Sequence, residues 1–199
     1  MPYPVIYLAS ASPRRSELLR QIGVTHEVRA VAVDESVAPG EAPVEYVLRL
    51  AEAKARRLWD DVAVHERLPV LAADTTVALE GEVFGKPTDR AEAAAMLSRL
   101  SGRTHQVHTA VAVLHAAGAA ALVSSSSVSL RDLTPAEIDW YCRTGEPMDK
   151  AGGYAVQGRA AIFIRHLSGS YSGVMGLPLY ETWELLSRVS GLTVEGAPA

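Results

Sequence analysis

The sequence predicts an α/β fold, a twisted mixed β-sheet flanked by helices, and three features carry that reading. A compact apolar run at 5–9 is followed at once by Ser12, Pro13 and a segment with helical spacing. Two long strand-like stretches surround Ala116, Ala117 and Gly118. Elsewhere helical and strand-like segments are interleaved, the pattern of a chain whose helices cover a sheet. With 199 residues, 48% of them hydrophobic, residues 1–199 suffice for one domain of two lobes sharing a core, and no repeat or low-complexity joint divides them.

The elements follow in order. The run at 5–9 reads as a strand, and Ser12 is placed to cap the next helix with Pro13 in its first turn. Leu18, Leu19 and Ile22 share one side of that helix, and Gly23 stops it, so its N-terminus lies at the carboxyl end of a strand. Residues 25–33 read as a second strand. From Pro43 onward Val44, Val47, Leu48, Ala51, Ala55 and Leu58 recur at helical spacing, predicting a helix with one face on the sheet. The run at 69–74 is nearly all apolar yet ends in Asp74, which predicts a strand buried on both faces, continuing through Thr75 and Thr76 into a hairpin. Asp89 and Glu92 have the spacing of a capping box for a helix closed by Ser101 and Gly102. After the long hairpin, Thr134, Pro135 and Glu137 are the clearest helix start in the chain. Residues 160–167 read as a strand, and residues 181–189 as a last helix stopping near Gly191 before a frayed end.

Composition narrows the function. Nineteen Lys and Arg against 23 Asp and Glu leave a net charge of −4, which argues against nucleic acid as a partner. A single cysteine, Cys142, excludes an internal disulfide framework or a multi-cysteine metal site and fits a reducing cytoplasm. The N-terminal residues lack the basic lead of a secretory signal. The most apolar stretch, 110–123, is interrupted by His115 and Gly118 and is too short to span a bilayer. The expectation is a cytoplasmic protein without a membrane partner.

The polar residues that interrupt the core carry the chemical argument. Arg14 and Arg15 open a helix whose free N–H groups and dipole favour an anion, and guanidinium forks match phosphate oxygens. Asp74, closing an apolar run, would cost several kcal/mol to bury unless a lysine or a metal ion pairs with it. Lys54, beside Arg56 and Arg57, and Lys86, in a turn, each read alone as exposed. His105 and His108 stand three apart on a strand, hence on opposite faces, and are a poor pair for one ion. Ser10, Ser12 and Ser16 lack a nucleophile-elbow pattern, and no Walker loop is present. The serines at 124–127 read as solvent-facing residues of an edge strand, and Trp59, Trp140 and Trp183 as helix packing.

Taken together, the segments LASASPRRSELL, VDE, RLAEAKA, LAADTTV, GKP, LSGRTHQVHT, DKAGGYAVQG and GSYSGVMGLPL resemble, in order and over nearly the whole chain, the Maf family of nucleoside triphosphate pyrophosphatases. The DKAG-Y-x-V-QG form, with Gln157, is similar to the branch acting on dTTP and UTP. The resemblance implies two lobes around a central cleft in an ITPase-like (Maf/Ham1-like) arrangement, a homodimer, and release of nucleoside monophosphate and pyrophosphate. By position it implies Asp74 as proton acceptor and Glu35 as the acidic residue near a divalent cation, Mg²⁺ or Mn²⁺. It implies Ser10, Arg14, Arg15, Lys54 and Lys86 around the triphosphate, with Arg14, Thr75 and Gln157 linked to substrate choice. Departures are small: Thr76 replaces a more usual aliphatic residue, and Gly153 and Ala155 flank Tyr154 where Ala and Gly are more common. The role expected is house-cleaning of canonical or modified pyrimidine nucleotides; the competing expectations are a related enzyme preferring a modified pyrimidine or methylated purine triphosphate, and a nucleotide-binding regulator of cell division, or septum formation, whose hydrolysis is incidental.

Overall fold

The computed structural model describes residues 5–190. Seven strands form one mixed sheet: β1 (Ile6–Leu8), β2 (His26–Val28), β3 (Val70–Leu79), β4 (Glu82–Phe84), β5 (Thr104–His115), β6 (Gly118–Leu130) and β7 (Ile164–Ser168). Their order is β2-β1-β3-β5-β6-β7, with β4 paired to the far end of β3. β1 runs parallel to both β2 and β3, and the remaining pairs are antiparallel. Six helices pack on it: α1 (Pro13–Gln21), α2 (Pro43–Asp61), α3 (Arg90–Leu100), α4 (Pro135–Arg143), α5 (Tyr171–Met175) and α6 (Leu179–Ser190).

β3 explains the two-lobed shape. In its first half Val70 and Ala72 pack under α2 with Tyr46, Val47 and Leu50, while Leu71 and Ala73 pack on the other face with Leu18 and Leu19 of α1 and Leu185 and Leu186 of α6. This is the period-two alternation of a strand covered on both sides. In its second half Val77 and Leu79 join a different core, with Leu97 and Leu100 of α3, Tyr141 of α4 and Phe163. Asp74, Thr75 and Thr76 lie between those cores, where β3 leaves one lobe and enters the next.

Local differences from the sequence reading have physical causes. Ser12 occupies the N-cap position of α1, but its side chain makes no cap hydrogen bond. The second strand stops at Val28 because its partner β1 offers only three residues. Glu92 N–H donates to the Asp89 cap, yet the Glu92 carboxylate turns to the N–H and hydroxyl of Thr88, so the box is half made. The Thr134–Glu137 box of α4 is complete. Of residues 160–167 only Ile164 onward joins the sheet: Arg159–Phe163 coils into a 3-10 turn that sinks Ala160 and Phe163 into the second core. Ser124 and Ser126 are buried, not solvent-facing, because α5 and the turn at Gly169 pack over that stretch of β6. The predicted stop near Gly191 and the frayed end lie outside the described residues.

Candidate active site

A cleft of about 380 Å³ opens between the lobes, within the usual range for a small-molecule site. It collects residues from the β1–α1 turn, α2, the middle of β3, the turn after β4, and residues 149–157. Every predicted site residue lies on its wall: Ser10, Arg14, Arg15, Glu35, Lys54, Asp74, Thr75, Lys86 and Gln157. Five cationic side chains (Arg14, Arg15, Lys54, Lys86, Lys150) and three carboxylates (Glu35, Asp74, Asp149) line it. A chain with a net charge of −4 thus concentrates positive charge in one concave place.

The alternation of β3 distributes the contacts. Asp74, on the same face as Ala72, points toward α2, and there Lys54 Nζ donates to its Oδ1 at 2.6 Å. The same ammonium reaches Glu35 Oε1 at 2.6 Å. Lys54 and Asp74 are both buried, whereas Glu35 is about half exposed. The expectation of an exposed Lys54 is therefore wrong: the aliphatic stem crosses the apolar face of α2 and the ammonium is drawn inward by two carboxylates. Lys86 is exposed at the cleft rim, as its turn suggests. Burial pushes the Glu35 carboxyl up, but the Lys54 hydrogen bond and the charges of Lys54, Lys86 and Arg15 outweigh it, leaving Glu35 below its ordinary value. Tyr46 O–H donates to the Glu35 carbonyl at 2.9 Å and so fixes that residue's backbone.

Thr75 points the opposite way, toward α1. Arg15 donates to the Thr75 hydroxyl (3.3 Å), to Ser10 Oγ (3.0 Å) and to the Gly176 carbonyl (2.8 Å). Its contacts are thus neutral, and burial lowers its pKa despite the opposing charge of Asp74. Among the described residues no carboxylate is in direct contact with this guanidinium. Arg14 pairs across the cleft with Asp149 at 3.2 Å, and Asp149 also holds Lys150. Gln157 is exposed on the cleft wall, on the segment that follows Tyr154.

Asp149 and Lys150, polar positions that interrupt the core in the quoted DKAG segment, also reach the cleft. The residues sequence reasoning passed over are Tyr46 and Tyr154, and only packing reveals that both border the cleft. His105 and His108 do separate to opposite faces: one bonds Tyr154, the other Ser125.

Oxygen donors suited to a hard divalent cation converge here in Glu35 and Asp74. Among the described residues no group of three or more His, Cys, Asp or Glu forms a closed metal cage. Such a donor set fits an ion of the Mg²⁺ type, held by one or two carboxylates and otherwise by water and phosphate oxygens.

A family model described as Maf-like protein matches residues 5–189. The chain belongs to the Maf family. Among its Maf relatives, a Bordetella avium protein named dTTP/UTP pyrophosphatase is 54% identical over 191 residues, covering 93% of this chain and 95% of its own length. One of the same name from Dechloromonas aromatica is 52% identical over 196 residues, covering 92% and 96%. The structure of the Staphylococcus aureus Ham1 protein matches with a TM-score of 0.45 and 19% identity, covering 64% of this chain and 72% of that one.

Proposed function

We propose that this Maf protein hydrolyses dTTP and UTP to the nucleoside monophosphate and pyrophosphate. The observation that carries the reading is the buried Lys54 ammonium clamped between Asp74 and Glu35 on the wall of a cleft rich in cations. The names of relatives at more than half identity support the same reaction and the same substrates.

The chemistry follows from what each group can do. A triphosphate brings several negative charges, and Arg15, whose hydrogen-bond partners among the described residues are neutral, is ready to meet one of them. Arg14, Lys86 and Lys150 extend that contact along the cleft, with Ser10 offering a hydroxyl. Lys54 engages Oδ1 of Asp74 and thereby orients the carboxylate, leaving Oδ2 to accept a proton from water. The water oxygen bonds to the α-phosphorus, the bridging α–β P–O bond breaks, and pyrophosphate leaves with the electron pair. Glu35 and Asp74 are the residues that would hold Mg²⁺ or Mn²⁺, which when bound supplies neutralisation of charge developing on the phosphoryl oxygens. Gln157 offers a carbonyl and an NH₂ to the imide edge of uracil or thymine, while Arg14 and Thr75 border the same cleft.

In this reading residues 1–199 form one catalytic unit of a homodimer, as the family resemblance implies, and the single cysteine fits a reducing cytoplasm. The partner in this reading is a free nucleotide, not nucleic acid or membrane. No helix among the described residues is long and apolar enough to cross a bilayer. A purely regulatory nucleotide binder has less support, because a carboxylate buried against a polyanion site serves chemistry better than retention.

The deciding experiment incubates purified protein with Mg²⁺ or Mn²⁺ and a panel of triphosphates, separating pyrophosphate from orthophosphate. Pyrophosphate released fastest from dTTP and UTP is the expected result. Binding without turnover of any nucleotide would overturn the enzyme reading.

A further inference from the structure

We infer that His105 is a positioning residue for pyrimidine selection: its imidazole anchors Tyr154 and, through Tyr154, the segment that carries Gln157. The inference rests on the reading of Gln157 as the group that meets the base.

His105 lies on β5, opposite Val128 of β6, and is only 1% exposed. Its Nε2 is 2.7 Å from the Tyr154 hydroxyl, and the two rings meet edge to face with centroids 5.4 Å apart. Its Nδ1 is buried with no hydrogen-bond partner among the described residues. Either group can donate in that bond, His105 Nε2–H to Tyr154 Oη or Tyr154 O–H to Nε2, according to the ring tautomer. Burial holds the imidazole pKa down at about 4, so the ring stays neutral and the bond persists at neutral pH.

Tyr154 is the pivot of the segment. It packs in the second core and lines the cleft three residues before Gln157. Upstream, Gly152 has φ +68° and its Cα lies so close to Val77 that a Cβ would meet Val77 carbons at 2.9–3.0 Å. Downstream, Ala155 N–H donates to Tyr141 Oη, Tyr141 O–H to Glu146, and Arg159 N–H to Glu146. A Cβ at Gly158 would collide with that same Glu146 carboxylate. The flanks are thus held by close packing and by Glu146. The Tyr154 side chain between them packs in the second core and, among the described residues, its hydroxyl makes one hydrogen bond, with His105 of a long strand. Among the described residues no hydrogen bond of the Gln157 side chain fixes it from within, so the direction it presents to a base depends on this anchoring.

The test compares UTP and CTP kinetics with hydrogen–deuterium exchange over residues 150–159. His105→Leu is expected to raise the UTP KM about tenfold, to shrink the UTP-over-CTP preference, and to leave kcat within about twofold. Exchange in 150–159 is expected to quicken at least severalfold. His105→Gln, whose amide reaches toward the place of Nε2 and can donate or accept, is expected to restore both readouts. Tyr154→Phe keeps the core volume and is expected to reproduce His105→Leu, with no further loss in the double variant. A folded His105→Leu protein with unchanged UTP KM, unchanged preference and unchanged exchange overturns the inference, as does failure of the Gln rescue. Wild-type protein inert on UTP, with exchange quickened in His105→Leu, would overturn the function reading and the selection role while upholding the anchor itself.

Discussion

Of the residues on the cleft wall, Lys54, Asp74 and Arg15 stand on α2, β3 and α1, whereas Gln157 rides a segment of glycine turns and 3-10 geometry. The first group is buried or engaged on several sides, and the second ends in an exposed amide. The contrast follows from cost. Charges removed from water must be held by close partners in fixed geometry, and regular elements with two packed faces supply that rigidity. A side chain that only reads a base edge stays solvated when the site is empty, so a loop suffices.

The contrast is tested most severely by Asp74→Asn. It keeps the shape but removes the proton acceptor, and kcat is expected to fall by about 10²–10⁴-fold with little change in fold, read by pyrophosphate release. Near-normal turnover would move the chemistry away from the rigid group. Lys54→Met comes next, because removing the ammonium leaves the buried Asp74 carboxylate without its partner. A loss of roughly 3–5 kcal/mol in unfolding free energy by denaturant titration is expected, alongside loss of activity.

The third is a pH dependence that belongs to the anchor of the Gln157 segment. His105 has a pKa of about 4 in the folded protein against an ordinary 6.5, so between those values the unfolded chain binds the extra proton. The stability tied to the neutral ring is therefore present above pH ~6.5 and lost as pH falls toward ~4, on the order of 3 kcal/mol in all. His105→Gln should flatten that part of the stability profile; an identical acid slope in both proteins would assign it elsewhere. The smallest expected effect is Gln157→Ala. About tenfold in UTP KM with a reduced UTP-over-CTP preference, roughly 1.4 kcal/mol, is what one solvated amide can supply. An equal loss on both nucleotides would remove Gln157 as the discriminating group.

Much of this was legible in the linear chain because it depends on local order. The strand–Pro–helix start at Pro13, the helical period from Pro43, the Thr134–Glu137 cap and the long hairpin through Gly118 are short-range patterns, and each forms as read. Asp74 was conspicuous for the same reason: a carboxylate ending an apolar run needs a partner whatever the fold. Two misread elements, the strand at 25–33 and the one at 160–167, failed where length depended on a neighbour, β1 in one case and β6 in the other.

What only the tertiary structure decided is which polar residue meets which. Lys54 lies 20 residues from Asp74 and Arg15 lies 161 from Gly176, so neither pairing leaves a trace in spacing. The same holds for His105 and Tyr154, 49 residues apart, whose hydrogen bond leaves no mark in the spacing either. Periodicity records which face of an element seeks burial, because that choice is made residue by residue. The partner found across the core is set by how the elements stack, and that information is shared among distant parts of the chain.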